Sequence, residues 1–190
     1  MNLRALTYPD LIFINPPLST PDALIERMSA SLAARNLIGD KEAFIRCVLQ
    51  RESEGPTALG EELAVPHGKS PVVQRAAFCL ALFDDPILWP GLEGDEDVRM
   101  VFLLAIPEAE AGSTHMQLLT TLTSSLTDER VRNRLLAART CEEALSALNA
   151  EAHTATNDKP ARSLLLPTIL GAIAAAAFLH AGLRWLLGLG

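Results

Sequence analysis

No run of lysines and arginines marks this sequence. Its 190 residues carry 16 Lys and Arg against 23 Asp and Glu, a formal net charge of −7. Nucleic-acid binders gather basic side chains on one face or arm, so this balance argues against that class. The N-terminus, MNLRALTYPDLIFINPPL, also lacks the layout of a secretory signal, because one early cation is followed by an apolar run broken at Pro9 and Asp10. The domain is therefore expected in the cytoplasm. Cysteine is scarce: Cys47, Cys79 and Cys141 are odd in number and far apart, which fits reduced thiols and not a disulfide framework. With four histidines, no CxxC and no HExxH, a zinc site of three or four ligands is disfavoured. The absence of GxSxG disfavours a serine hydrolase as well, although such triads are recognised by geometry and not by motif alone. Internal repeats are absent too.

What is present suits one domain with a tail, since 49% hydrophobic residues suffice for a core at this length. Residues 11–14, LIFI, read as a short strand. Ser19-Thr20-Pro21-Asp22 then signals a helix start, and Leu24, Ile25, Met28 and Leu32 keep helical spacing. After Gly39-Asp40 a second helix repeats the pattern through Phe44, Ile45, Val48 and Leu49, with Arg51 at its end. Gly55, Pro56 and Gly60 make the next stretch irregular. A brief strand at 63–65 leads into Pro66, so His67 is expected where a strand gives out.

Two longer apolar runs follow, AAFCLALF (76–83) and VRMVFLLAIP (98–107), too continuous for half-exposed strands. They are expected at the centre of a sheet covered on both faces, joined by a loop or hairpin. The fold class is thus α/β, a mixed β-sheet flanked by helices on both faces. Thr114 can cap a helix striped by Leu118, Leu119, Leu122 and Leu126, with His115 in its first turn. A helix at 128–138 and a capping box, Thr140-x-x-Glu143, close the domain near residue 150.

Residues 151–163 read as a polar linker, and 164–190 as an apolar tail with no formal charge over 164–183. Twenty helical residues span about the ~30 Å hydrocarbon core of a bilayer. Lys159 and Arg162 on the domain side would keep the domain cytoplasmic, but Pro167, His180 and many alanines weaken the span. Two readings stay open for this C-terminal apolar helix: a membrane anchor, or an extra helix packed on the domain or on another subunit.

His67 carries the most chemistry. It lies between Pro66, which stiffens the chain, and Gly68, which admits a close ligand, with Lys69 adding positive charge. An exposed imidazole there can receive an anion and act as a nucleophile near neutral pH. The plain alternative is a histidine that ends a strand and hydrogen-bonds its neighbours. Gly68-Lys69-Ser70 is not the end of a phosphate-cradling P-loop, because GxxxxGK[ST] needs glycine at the position of Leu63.

Two segments, PTALGEELAVPHGK and LLAIPEAEAGSTHMQLL, with the Arg51-Glu52 pair upstream, resemble the EIIA domain of the fructose/mannitol class (type 2) of the bacterial sugar phosphotransferase system. The resemblance covers roughly residues 5–149 and is closest in wording to the EIIA part of 2-O-mannosylglycerate permeases. It implies that His67 is the phosphoryl acceptor, His115 a second active-site histidine and Arg51 a charge-stabilising group. It implies no metal and no cofactor. The partners implied are HPr as donor and the EIIB and EIIC components of a sugar permease. Relatives often show TGIGxGIAIPH where this chain has Ala58 and Glu62, a stiffer loop of different charge. Two functions follow from the resemblance: a phosphoryl carrier in sugar uptake, or a regulatory domain controlled by phosphorylation of His67.

Overall fold

The computed structural model describes residues 3–110, 120–122, 124, 126 and 128–149, all within the unit Met1–Thr156. In chain order they form β1 (Ile12–Ile14), α1 (Pro21–Ala34), α2 (Lys41–Glu54), β2 (Leu63–Ala64), β3 (His67–Ser70), β4 (Ala77–Pro90), β5 (Asp95–Pro107), α3 (Glu129–Ala137) and α4 (Cys141–Asn149). Residues 120–122, 124 and 126 are helical as well.

The two apolar runs become β4 and β5, an antiparallel pair at the centre of a five-stranded sheet. Alternation along each strand sends side chains to opposite faces. Phe78, Leu80, Met100, Phe102 and Leu104 join Leu122, Leu126, Leu135 and Leu145 in one buried cluster. Ala77, Cys79, Ala81, Val101, Leu103 and Ala105 join Leu24, Met28, Phe44 and Val48 in the other. Helices therefore cover both faces, as the unbroken apolar character of the strands requires. The segment between the runs is a hairpin: pairing resumes at Ile87 opposite Val98 after an irregularity and runs to Pro90 opposite Asp95.

Local signals set the helix ends. Thr20 accepts from the Ala23 amide and Asp40 from the Ala43 amide, caps worth about 1 kcal/mol each. The expected capping box is present, with the Glu143 amide bonded to Thr140 Oγ1 at 3.2 Å and Glu143 Oε2 accepting from the Thr140 amide at 3.2 Å. All three cysteines are free. Burial pushes the Cys79 and Cys47 thiols up from their ordinary values, so neither is poised as a thiolate.

One expectation is corrected. His67 does not sit where a strand gives out; it opens β3. Leu63 pairs with Met100 and His67 with Leu104, so β2 and β3 keep one parallel register along β5. Pro66 has no amide to donate, but its carbonyl accepts from the Leu104 amide at 2.9 Å and carries the pairing across the gap. Such an interruption is tolerated because β2 and β3 lie at the sheet edge.

Candidate functional site

Phe44, Val48 and Arg51 lie at helical spacing on the side of α2 that meets the sheet edge. Phe44 and Val48 are fully buried. At the helix end the same side delivers Arg51 to β3. Gly68 makes the approach feasible: a Cβ there would lie 2.7 Å from Phe44 Cε2 and 2.9 Å from Val48 Cγ2, too close for any side chain. The sequence suggested that this glycine admits a ligand. The structure assigns it to admitting α2, and the closeness of α2 to β3 sets the reach of Arg51.

His67 is half-buried and held at both nitrogens. Nδ1 is 3.0 Å from the Val65 carbonyl, and Nε2 accepts from Arg51 Nε at 3.2 Å. A carbonyl only accepts, so Nδ1 must carry the proton. The lone pair is then on Nε2, and the nucleophilic nitrogen is fixed by a backbone contact two residues upstream. Arg51 is itself steered, since Nη1 donates to the Gly55 carbonyl just past the helix end at 2.9 Å. A guanidinium against Nε2 can neutralise an anion arriving there, and its planar fork suits phosphoryl oxygens.

A carboxylate lies beside the pair. Glu52 accepts from Thr57 Oγ1 at 2.5 Å and from Trp89 Nε1 at 3.3 Å. Burial pushes its carboxyl up from the ordinary value, against the Thr57 and Trp89 hydrogen bonds and the Arg51 charge, which pull it down. The sequence noted Glu52 only as part of an Arg-Glu pair. Its partner Trp89 is 37 positions away, a link no local pattern carries.

The loop before β2 differs from the glycine-rich form expected of relatives. Glu61 and Glu62 both take left-handed conformations, φ 53° and 59°, after Gly60 at φ 73°. Their side chains turn outward to Arg132 (3.0 Å) and Arg99 (3.8 Å). The Glu62 carbonyl meanwhile accepts from the Arg99 and Met100 amides. Lys69 has an exposed side chain. His115 lies outside the described residues. His67 shares its sheet face with Leu63 and Val65 by alternation, the face that also carries Leu122 and Leu126.

Comparisons with known proteins bear on the family and the fold. A family model described as the phosphoenolpyruvate-dependent sugar phosphotransferase system, EIIA 2, matches residues 5–151. The 2-O-alpha-mannosyl-D-glycerate-specific EIIABC component of the Escherichia coli phosphotransferase system is 48% identical over 149 residues, 78% of this chain and 23% of that protein. A nitrogen regulatory protein of Bradyrhizobium diazoefficiens is 32% identical over 149 residues, 78% of this chain and 95% of that protein. Among solved structures, enzyme IIAMTL of Escherichia coli, determined in complex with phosphorylated enzyme IIBMTL, superposes with a TM-score of 0.64 at 26% identity, covering 75% of this chain and 98% of that one. The chain thus spans about a quarter of the length of the permease it matches.

Proposed function

Because the chain belongs to the EIIA type 2 family of the phosphoenolpyruvate-dependent sugar phosphotransferase system, we propose that it is a phosphoryl carrier with Nε2 of His67 as the acceptor. The observation that carries this reading is the bond from Nδ1 to the Val65 carbonyl, which leaves the lone pair on Nε2 next to Arg51.

In the first half-reaction Arg51 swings off the lone pair. Nε2 attacks the phosphorus of phospho-HPr in line, the donor nitrogen–phosphorus bond breaks, and its electron pair returns to the donor ring. The His67 ring keeps its Nδ1 proton, so no proton need be found or lost at this ring. Arg51, free of Nε2, pairs with the equatorial phosphoryl oxygens. In the second half-reaction a cysteine thiolate of an EIIB domain attacks phosphorus, a sulfur–phosphorus bond forms, and the pair of the breaking bond returns to Nε2. Neither half needs a metal or cofactor, only charge neutralisation and alignment. His115 is proposed as the second histidine at the phosphoryl group.

The identity to the mannosylglycerate permease supports transfer toward an EIIB and EIIC for that sugar or a fructose-like one. The match along nearly all of a nitrogen regulatory protein supports a second reading, a regulatory domain switched by phosphorylation of the same histidine. Both place phosphate on His67, and only transfer onward to EIIB separates them. Incubation with enzyme I, HPr and phosphoenolpyruvate should add one acid-labile phosphate that His67→Ala loses. Rapid discharge to an EIIB favours transport, and stable retention favours regulation.

The domain organisation is proposed as 1–150 for the EIIA domain, 151–163 for a linker and 164–190 for an apolar tail. No helix among the described residues is long and apolar enough to cross a membrane, and the tail lies outside them. Fractionation of cells expressing the full chain and a form ending at Ala150 tests anchoring. Pelleting of the full chain alone, resistant to high salt, supports it.

A further inference from the structure

One half-buried carboxylate beside the site has no part in the transfer chemistry above. Glu52 follows Arg51 directly, yet its two oxygens are committed to Thr57 Oγ1 and Trp89 Nε1. Thr57 is 4% exposed and Trp89 0%, so water is no ready substitute and removing the carboxylate strands two donors. From Thr57 the connection continues along the main chain. The Thr57 carbonyl accepts from the Val65 amide at 3.0 Å, and the Val65 carbonyl meets Nδ1 of His67 at 3.0 Å. Pro66 lies between these last two residues and fixes one backbone dihedral, so a shift of Val65 passes to His67 with little slack.

That last contact decides the chemistry. With the Val65 carbonyl in place the ring proton stays on Nδ1 and Nε2 can attack. With the carbonyl displaced, the proton can move to Nε2 once Arg51 has swung off it, and the nitrogen that must attack loses its lone pair. Arg51 Nε donates to Nε2 and favours the same form while it stays there, but it must leave Nε2 before attack, and from then on the Val65 carbonyl alone holds the proton on Nδ1.

We propose that Glu52 is a positioning residue for phosphoryl transfer, holding His67 in its Nδ1–H form through Thr57 and Val65. The proposal rests on the reading of Nε2 as the phosphoryl acceptor. Through Trp89 the same carboxylate ties the β4–β5 hairpin to the end of α2, so a single group braces the helix, the loop before β2 and the hairpin.

The test uses the full chain with 15N-labelled histidine, at a pH where the ring is neutral. Imidazole nitrogen shifts report the tautomer, and initial rates of phosphorylation by phospho-HPr report function. The wild type should show a single Nδ1–H tautomer at His67. Glu52→Ala should give a mixture and slow phosphorylation by about tenfold or more. Glu52→Gln should restore the tautomer and bring the rate within about threefold of wild type, because its carbonyl still accepts from Trp89 while its amide donates to the Thr57 hydroxyl. A folded Glu52→Ala protein with the wild-type tautomer and a rate within about twofold overturns the proposal. Should that variant not fold, Thr57→Val takes its place, removing the hydroxyl and keeping the backbone carbonyl. A mixed tautomer there supports the proposal, and an unchanged one overturns it. If the wild type takes no phosphate on His67, the carrier reading fails, whereas the tautomer comparison still decides the role of Glu52.

Discussion

The central strand pair and the sheet edge obey different rules. β4 and β5 are long, apolar on both faces and bonded along most of their length. β2 and β3 are two and four residues long, split at Pro66, and laddered only with β5, the other side of β2 carrying no more than a bridge from Ala64 to Ala58. The centre supplies stability and no chemistry, since each of its side chains from Ala77 to Phe83 is buried. The edge carries the chemistry proposed above because its short strands leave backbone groups available for side chains. The Val65 carbonyl, in the gap between β2 and β3, is the acceptor that sets the His67 ring. The proposed acceptor is thus placed at the edge of a rigid plane and oriented by the interruption itself.

Substitutions can break this contrast, the largest effect being at the centre. Phe44 is fully buried between α2 and the sheet, and Phe44→Ala should cost about 3–5 kcal/mol in a denaturant titration. A loss below about 1 kcal/mol would mean that α2 is not braced as described. Gly68→Ala acts where centre and edge meet. Its methyl must displace Phe44 or Val48, at about 1–3 kcal/mol, and should slow phosphorylation as well by moving Arg51. Unchanged stability and rate would show that α2 need not sit so close.

At the edge proper, Arg51→Ala should leave the melting temperature almost unchanged yet slow phosphoryl transfer in both directions by at least about tenfold, roughly 1.4 kcal/mol of barrier. A variant that melts early but transfers normally would make Arg51 a structural residue. The smallest effect concerns pH. The folded protein raises the Glu52 carboxyl above its ordinary 4.5, so between those two values the native state holds more protons than the unfolded one. Stability then falls as pH rises through that window. Relative to Glu52→Gln, which lacks this ionisation, the wild type should lose ground from about pH 4.5 upward in paired thermal melts. A gap that stays flat or moves in the wild type's favour contradicts the raised value.

Much of this was legible along the chain. Thr20, Asp40 and the Thr140–Glu143 box are local signals whose partners lie three residues away, and the structure forms each of them. The burial of 76–83 and 100–107 follows from composition alone. The edge was harder to read. Pro66 looks like the end of a strand because it lacks an amide, but the pairing through its carbonyl depends on where β5 lies. Gly68 looked like room for a ligand, because nothing nearby in sequence says that Phe44 and Val48 arrive from α2. Likewise the Glu52–Trp89 bond joins segments whose approach only the folded sheet determines.

The central claim is that His67 reacts at Nε2 because its own backbone holds the proton on Nδ1. Phosphorylated protein with 15N-labelled histidine, observed through phosphorus–nitrogen coupling, tests it directly. The account predicts a single phosphoryl group bonded to Nε2 of His67, absent from His67→Ala. Phosphate on Nδ1, or stable labelling of the His67→Ala protein, would contradict it.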